Sequence, residues 1–165
     1  MKILLCSILM LTLTACVTDG DEPQWSIAPG DKVPPFSVVM SDGSVFSTAG
    51  MEGHVSLLLF FNTDCPDCRA ELPEIEKVFR TLPDGALLAC IAREEDEASA
   101  GAWWESHNLT MPYSPQPDRS VYSLFASAGI PRIYIVSPTL TIHAAYTPED
   151  SPTAEELLAA MDAAR

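Results

Sequence analysis

At 165 residues, 47% hydrophobic and 19% charged, the chain is long enough for one domain with a real core and too short for two ordinary ones. Nine Lys and Arg against 23 Asp and Glu give a net charge of −14, a field that repels phosphate backbones and anionic headgroups and so excludes nucleic acid as a partner. Fourteen prolines spread along the chain argue for many turns and against a long helical bundle.

The first 16 residues form a separate object. Lys2 supplies a positive start, Ile3 to Leu13 is nearly unbroken apolar chain, and Leu13-Thr14-Ala15-Cys16 closes it. A run this short reads as a signal peptide and not as a membrane span. Its end resembles the lipobox of bacterial lipoproteins, which implies that Cys16 is acylated and becomes the first residue of the mature chain. The expected organisation is a lipoprotein signal peptide over 1–15, a lipidated flexible tether over 16–29 and one domain over 30–165. Removing residues 1–15 takes away Lys2 and no acid, so the mature chain is still more acidic. No later stretch is apolar enough to span a bilayer, so the membrane is engaged through the lipid anchor alone. The expected location is the bacterial cell envelope, facing the periplasm or the cell exterior.

In chain order, Phe36 to Met40 and Val45-Phe46 read as a hairpin around Asp42-Gly43. Val55 to Phe61 is a continuous apolar run, as in a strand buried on both faces. A helix follows from Pro66 to about Thr81, with Pro66 at its first position and Pro73 predicted to kink it. Ala86 to Ala92 is the next buried strand, Glu94 to His107 a helix, and Ser120 to Ala126 a short helix. Arg132 to Val136 and Thr141 to Tyr146 are strands. Thr153 to Ala164 is a closing helix with Thr153 and Glu156 spaced as a capping box. Alternating strands and helices predict an α/β domain with a central sheet covered on both faces.

The chemistry concentrates at Cys65-Pro66-Asp67-Cys68, at the junction between strand and helix. The unsatisfied N–H groups and positive dipole of a helix N-terminus favour a thiolate on Cys65. Cys65 can then attack a substrate disulfide, and Cys68, one turn on, is placed to resolve the mixed disulfide. Asp64 and Asp67 oppose that thiolate. Two charges about 6 Å apart at an effective dielectric of about 20 repel by roughly 2.8 kcal/mol, against about 0.3–1 kcal/mol from an exposed helix terminus. Weak thiolate stabilisation favours a reductase over a strong oxidant.

These residues resemble the thioredoxin superfamily, and within it the TlpA/ResA-like, AhpC/TSA-related thiol–disulfide oxidoreductases. The likeness runs from Gly30-Asp31-Lys32-Val33-Pro34-Pro35-Phe36 through Leu57 to Asn62 and Cys68-Arg69-Ala70-Glu71-Leu72-Pro73 to Gly129-Ile130-Pro131. It implies a thioredoxin-like three-layer fold, a central mixed β-sheet flanked by helices with an N-terminal β-hairpin. By the same resemblance Cys65 is the nucleophile, Cys68 the resolving thiol and Pro131 a cis proline beside them. The Ile130 backbone, with Pro66 and Asp67, would meet an extended substrate segment. Glu71 matches an active-site glutamate of ResA-like members; it is either a proton shuttle or a solvated helix carboxylate. No cofactor is implied beyond the redox-active Cys65–Cys68 disulfide. The implied partners are thiols and disulfides of exported proteins, apocytochrome c among them, and an unidentified membrane electron donor, the chain itself being a monomer.

Two departures stand out: Asp64 replaces a tryptophan common before the first cysteine, and Arg132 replaces a small polar residue after the proline, its role open. Cys90, in a buried strand, is expected as core, the rival reading being a third redox thiol. His54, His107 and His143 are scattered and lack metal-ligand spacing, so no metal site is expected. Three alternatives stand beside the leading function. A peroxiredoxin-like thiol peroxidase would want Thr and Pro where Asn62 and Leu58 stand. A copper-binding or delivery protein with a thioredoxin fold would generally use a longer cysteine spacing with a partnering histidine. A purely structural disulfide would leave the Ile130-Pro131 motif without a purpose.

Overall fold

The computed structural model describes residues 25–165; the signal segment, Cys16 and the first part of the tether lie outside the described residues. The hairpin forms as the Asp-Gly pair predicts. Strand β1 (Ser37–Val39) pairs antiparallel with β2 (Val45–Ser47), and Gly43 takes a left-handed turn at φ +82°. One turn of helix, α1 (Thr48–Met51), follows; Ser47 caps it by accepting the Gly50 N–H.

The main sheet has five strands in the order β5-β4-β3-β6-β7. Strand β3 (Ser56–Phe61), buried at every residue, lies at its centre, parallel to β4 (Leu87–Ala92) and antiparallel to β6 (Arg132–Val136). Strand β5 (Tyr113–Ser114) extends the β4 edge in parallel, and β7 (Ile142–Tyr146) extends the β6 edge antiparallel. The two-residue pleat sends successive β3 side chains to opposite faces. Phe60 packs among Tyr122, Phe125 and Tyr134, whereas Phe61 packs on Trp104, which in turn packs on Tyr113. Full burial of each such ring contributes about 1.5–3 kcal/mol. The continuous apolar run of β3 thus reflects two buried faces.

The helices flank this mixed sheet. Helix α2 (Pro66–Arg80) starts at the end of β3 and continues through Pro73, which withdraws one N–H from the ladder opposite the Arg69 carbonyl. Helix α3 (Glu97–Ser106) is shorter than its sequence suggests. Asp96 accepts the Ser99 N–H as its cap, Glu94 turns left-handed at φ +58°, and Glu95 exchanges backbone bonds with Gln116. The helix expected over Ser120 to Ala126 is a single 3-10 turn at Tyr122–Leu124, because Tyr122, Phe125 and Ala126 are drawn into the core. Helix α4 (Ala154–Ala163) packs against α2 and β6 and carries the full Thr153–Glu156 capping box.

The folded region reaches back into the segment expected as tether. Trp25 and Ser127 exchange hydrogen bonds, and the Ile27 N–H donates to the Phe125 carbonyl at 2.8 Å. Residues 25–27 are therefore fastened beside the loop that leads to Pro131.

Candidate active site

Strand β3 ends at Phe61 and delivers Asn62 to Cys65 to the start of α2. Cys65 is the N-cap residue, in extended backbone, and Pro66 occupies the first turn, where a missing N–H costs nothing. The short segment before Cys65 is tied down from several sides. Asn62 donates through Nδ2 to the carbonyls of Arg93 at 3.0 Å and Glu94 at 3.3 Å, and its Oδ1 accepts the Asp64 N–H at 2.8 Å. The buried Glu95 carboxylate accepts the Thr63 N–H at 2.8 Å and also the Thr63 hydroxyl. Arg69 Nε donates to the Thr63 carbonyl. The approach to Cys65 is thus fixed by the loop after β4 and by Arg69 of α2.

Cys65 and Cys68 are both thiols in this structure, the first partly exposed and the second buried. Cys65 Sγ donates to the Ile130 carbonyl at 3.5 Å. The Ile130-Pro131 peptide is cis, and both residues are buried. Burial pushes the Cys68 thiol up, an effect reinforced by neighbouring Cys65; the Asn62 backbone and the Arg93 guanidinium pull the other way. Pro66 and Asp67 are exposed on the first turn of α2. The structure therefore brings Cys65, Cys68, Ile130 and Pro131 together, with Pro66 and Asp67 on the rim.

Glu71 lies one turn past Cys68 and is 5% exposed, so the solvated-carboxylate reading does not survive. Its Oε1 has no hydrogen-bond partner, and burial, followed by the charge of Glu74, raises its carboxyl to about 7. Cys90 sits fully in the core with Sγ against Met111 Sδ at 3.6 Å; burial pushes its thiol up as well. The expectation for Asp64 needs correction. Its carboxylate is 98% exposed and faces Arg69 Nη2 at 3.6 Å, so its charge is shared with a cation and solvent. Arg69 also lies over the ring of Trp103, 4.8 Å from its centroid, with His107 stacked on that ring at 3.5 Å.

Sequence reasoning missed Glu95, Tyr122 and the anchoring role of Arg69. The Tyr122 hydroxyl donates to the Gly129 carbonyl at 2.8 Å, and its ring carries the guanidinium groups of Arg93 and Arg119. Two surface clefts, one beside His54 and Arg165 and one along β1 beside Gln116, are lined by neither cysteine.

Comparison with known proteins fits this geometry. The AhpC/TSA family model matches residues 29–145. The thioredoxin-like protein YneN of Bacillus subtilis is 29% identical over 89 residues, 52% of this chain and 52% of YneN. The thiol-disulfide oxidoreductase ResA of Oceanobacillus iheyensis is 23% identical over 114 residues, 66% of this chain and 59% of ResA. The chain thus spans between half and three-fifths of the length of these two relatives. Among solved structures, a thiol:disulfide interchange protein of the thioredoxin family from Chlorobium tepidum superimposes with a TM-score of 0.71 at 22% identity, covering 84% of this chain and 99% of that one.

Proposed function

Because the chain belongs to the AhpC/TSA family and has a TlpA/ResA-like thioredoxin fold, we propose that it is a thiol–disulfide oxidoreductase working through Cys65 and Cys68. The observation that carries this reading is the pairing of a partly exposed cysteine at the cap of α2, in contact with the Ile130 carbonyl before a cis proline, with a buried cysteine one turn on. Cys65, as thiolate, attacks one sulfur of a substrate disulfide; the other leaves as a thiolate and takes a proton. Cys68 then loses its proton and attacks Cys65 Sγ, which releases the second substrate sulfur. Two electrons pass to the substrate, and the pair is left as a disulfide that an external dithiol donor must reduce. The buried carboxyl of Glu71, raised to about 7, is suited to accept the Cys68 proton near neutrality.

The reductase direction is supported by what faces the sulfurs. Burial disfavours a Cys68 anion, and the group facing Cys65 Sγ at 3.5 Å is the Ile130 carbonyl oxygen, which has no hydrogen to offer a thiolate. Strong oxidants draw their potential from a stabilised reduced form, of which this surrounding supplies little. The peroxidase reading still lacks its residues, and the Asn62 amide is already engaged by Arg93 and Glu94.

The lipobox resemblance at Cys16 supports an extracytoplasmic, lipid-anchored protein acting on exported substrates, with apocytochrome c as one class. Labelled palmitate incorporated into the wild type and absent from Cys16→Ala tests the anchor. For the chemistry, Cys68→Ser is expected to accumulate mixed disulfides with substrate and Cys65→Ser to lose insulin reduction. Insulin reduction retained by Cys65→Ser overturns the mechanism, and a potential as oxidising as about −120 mV overturns the direction.

A further inference from the structure

The loop that leads into Pro131 is held by side chains and not by a sheet ladder. Arg119 Nη2 donates to the Ser127 carbonyl at 3.2 Å. Arg132 Nη2 donates to Ala128 at 2.8 Å, and Arg132 Nε to Gly129 at 3.3 Å. Tyr122 adds the second donor to Gly129, and Cys65 Sγ donates to Ile130. The carbonyls of four consecutive residues, 127 to 130, are therefore each satisfied by a side chain, and the last donor is the reactive thiol itself.

Gly129 makes this arrangement possible. Its φ of +81° is a left-handed conformation, and a Cβ there would lie 3.2 Å from Arg132 Nη2 and 3.6 Å from Nε. Bare backbone lets the guanidinium lie flat against the loop. A planar fork can bridge two neighbouring carbonyls, which a lysine ammonium, as a single point charge, does not reproduce. The half-buried Arg132 turns its donors inward onto the protein's own backbone.

We propose that Arg132 is a positioning residue of the redox site: by fixing the Ala128 and Gly129 carbonyls it sets the backbone edge on which an extended segment of a protein substrate docks beside Cys65. This inference rests on the oxidoreductase reading. Its signature is selective. A protein disulfide needs the loop edge to bind, whereas a small aryl disulfide needs only the exposed sulfur.

The test uses the purified wild type with Arg132→Thr and Arg132→Lys, assayed with insulin and with a small aryl disulfide at temperatures where each variant is folded. Arg132→Thr removes both guanidinium contacts, but Gly129 keeps the Tyr122 donor, so the loss is set mainly by the Ala128 contact and changes an equilibrium by roughly tenfold. The expected result for Arg132→Thr is an insulin KM about tenfold higher, a kcat within about twofold, and faster amide exchange at residues 128–130. Arg132→Lys should recover less than half of that loss on a logarithmic scale. Full recovery by Arg132→Lys overturns the inference, because charge alone would then suffice. Unchanged insulin KM in both variants, with the wild type active on both disulfides, also overturns it. A wild type inactive on both disulfides overturns the oxidoreductase reading and this inference with it. Should Arg132→Thr not fold, Tyr122→Phe, which removes one donor to Gly129 and keeps the ring, is expected to raise the insulin KM about threefold by the same reasoning, and no rise overturns it.

Discussion

Replacing Glu71 by glutamine tests the energetics at the centre of α2. Its carboxyl is buried, has an unpartnered oxygen and titrates at about 7, against 4.5 for an ordinary glutamate. One unit corresponds to about 1.4 kcal/mol, so holding Glu71 ionised in the folded protein costs on the order of 3 kcal/mol. The sign is the reverse of a paired carboxylate. Between pH 4.5 and about 7 the folded state keeps a proton that the unfolded chain gives up, so stability falls as pH rises through that window. Glutamine has no charge to desolvate, but its amide stays buried without full hydrogen bonding, at a cost of about 1–3 kcal/mol. Glu71→Gln is therefore expected to be near neutral or mildly destabilising at low pH and to gain about 1–3 kcal/mol relative to wild type above pH 8. Urea midpoints of the fully reduced proteins across this range measure the difference. A gap that does not move with pH, or a wild type that grows more stable through the window, refutes the reasoning. The same variant should slow the second step of disulfide exchange by about a hundredfold if Glu71 takes the Cys68 proton.

Further outcomes follow from burial and hydrogen bonding. Iodoacetamide applied to the native reduced protein should modify Cys65 first and leave Cys68 and Cys90 unmodified until urea is added; peptide mapping that finds Cys90 labelled as fast as Cys65 contradicts the core assignment. Glu95→Gln keeps the shape but weakens the grip on Thr63, so it should cost about 1–3 kcal/mol and speed Thr63 amide exchange. Thr153→Ala removes the α4 capping box and should cost about 1 kcal/mol, with the rate of insulin reduction unchanged.

The elements that sequence reading located were those whose cause is local. Five apolar residues in a row, Leu57 to Phe61, mark β3, a proline after Cys65 marks the first turn of α2, and Thr153 with Glu156 marks the start of α4. The elements it missed or misplaced depend on distant partners. Strand β5 is only Tyr113–Ser114, between two prolines, and exists because Cys90 and Ile91 on β4 offer it a register. Residues 94–96 have a composition that suits a helix, yet Glu95 is recruited by Thr63, thirty-two positions away, and Asp96 becomes the cap of α3. The turn at Tyr122–Leu124 stays short because its neighbours pair with the chain's own Trp25–Ile27.

The same division runs through the site. Cysteine spacing and the Ile-Pro pair are legible because they are adjacent in the chain. The direction in which a charge points is not. In the sequence Asp64 stands beside Cys65 as a full opposing charge, but its carboxylate points into solvent toward Arg69, which at the same time stacks on Trp103 and holds Thr63. Arg132, next to Pro131, has an open role in the sequence, and the structure turns its donors onto two backbone carbonyls. The cation that acts on the buried thiol is Arg93, at the end of β4. Net charge therefore describes what this acidic molecule repels at long range. What the two sulfurs experience is decided by which of a few side chains are already committed to backbone, and that commitment follows from the sheet order that brings β4 and β6 to either side of β3.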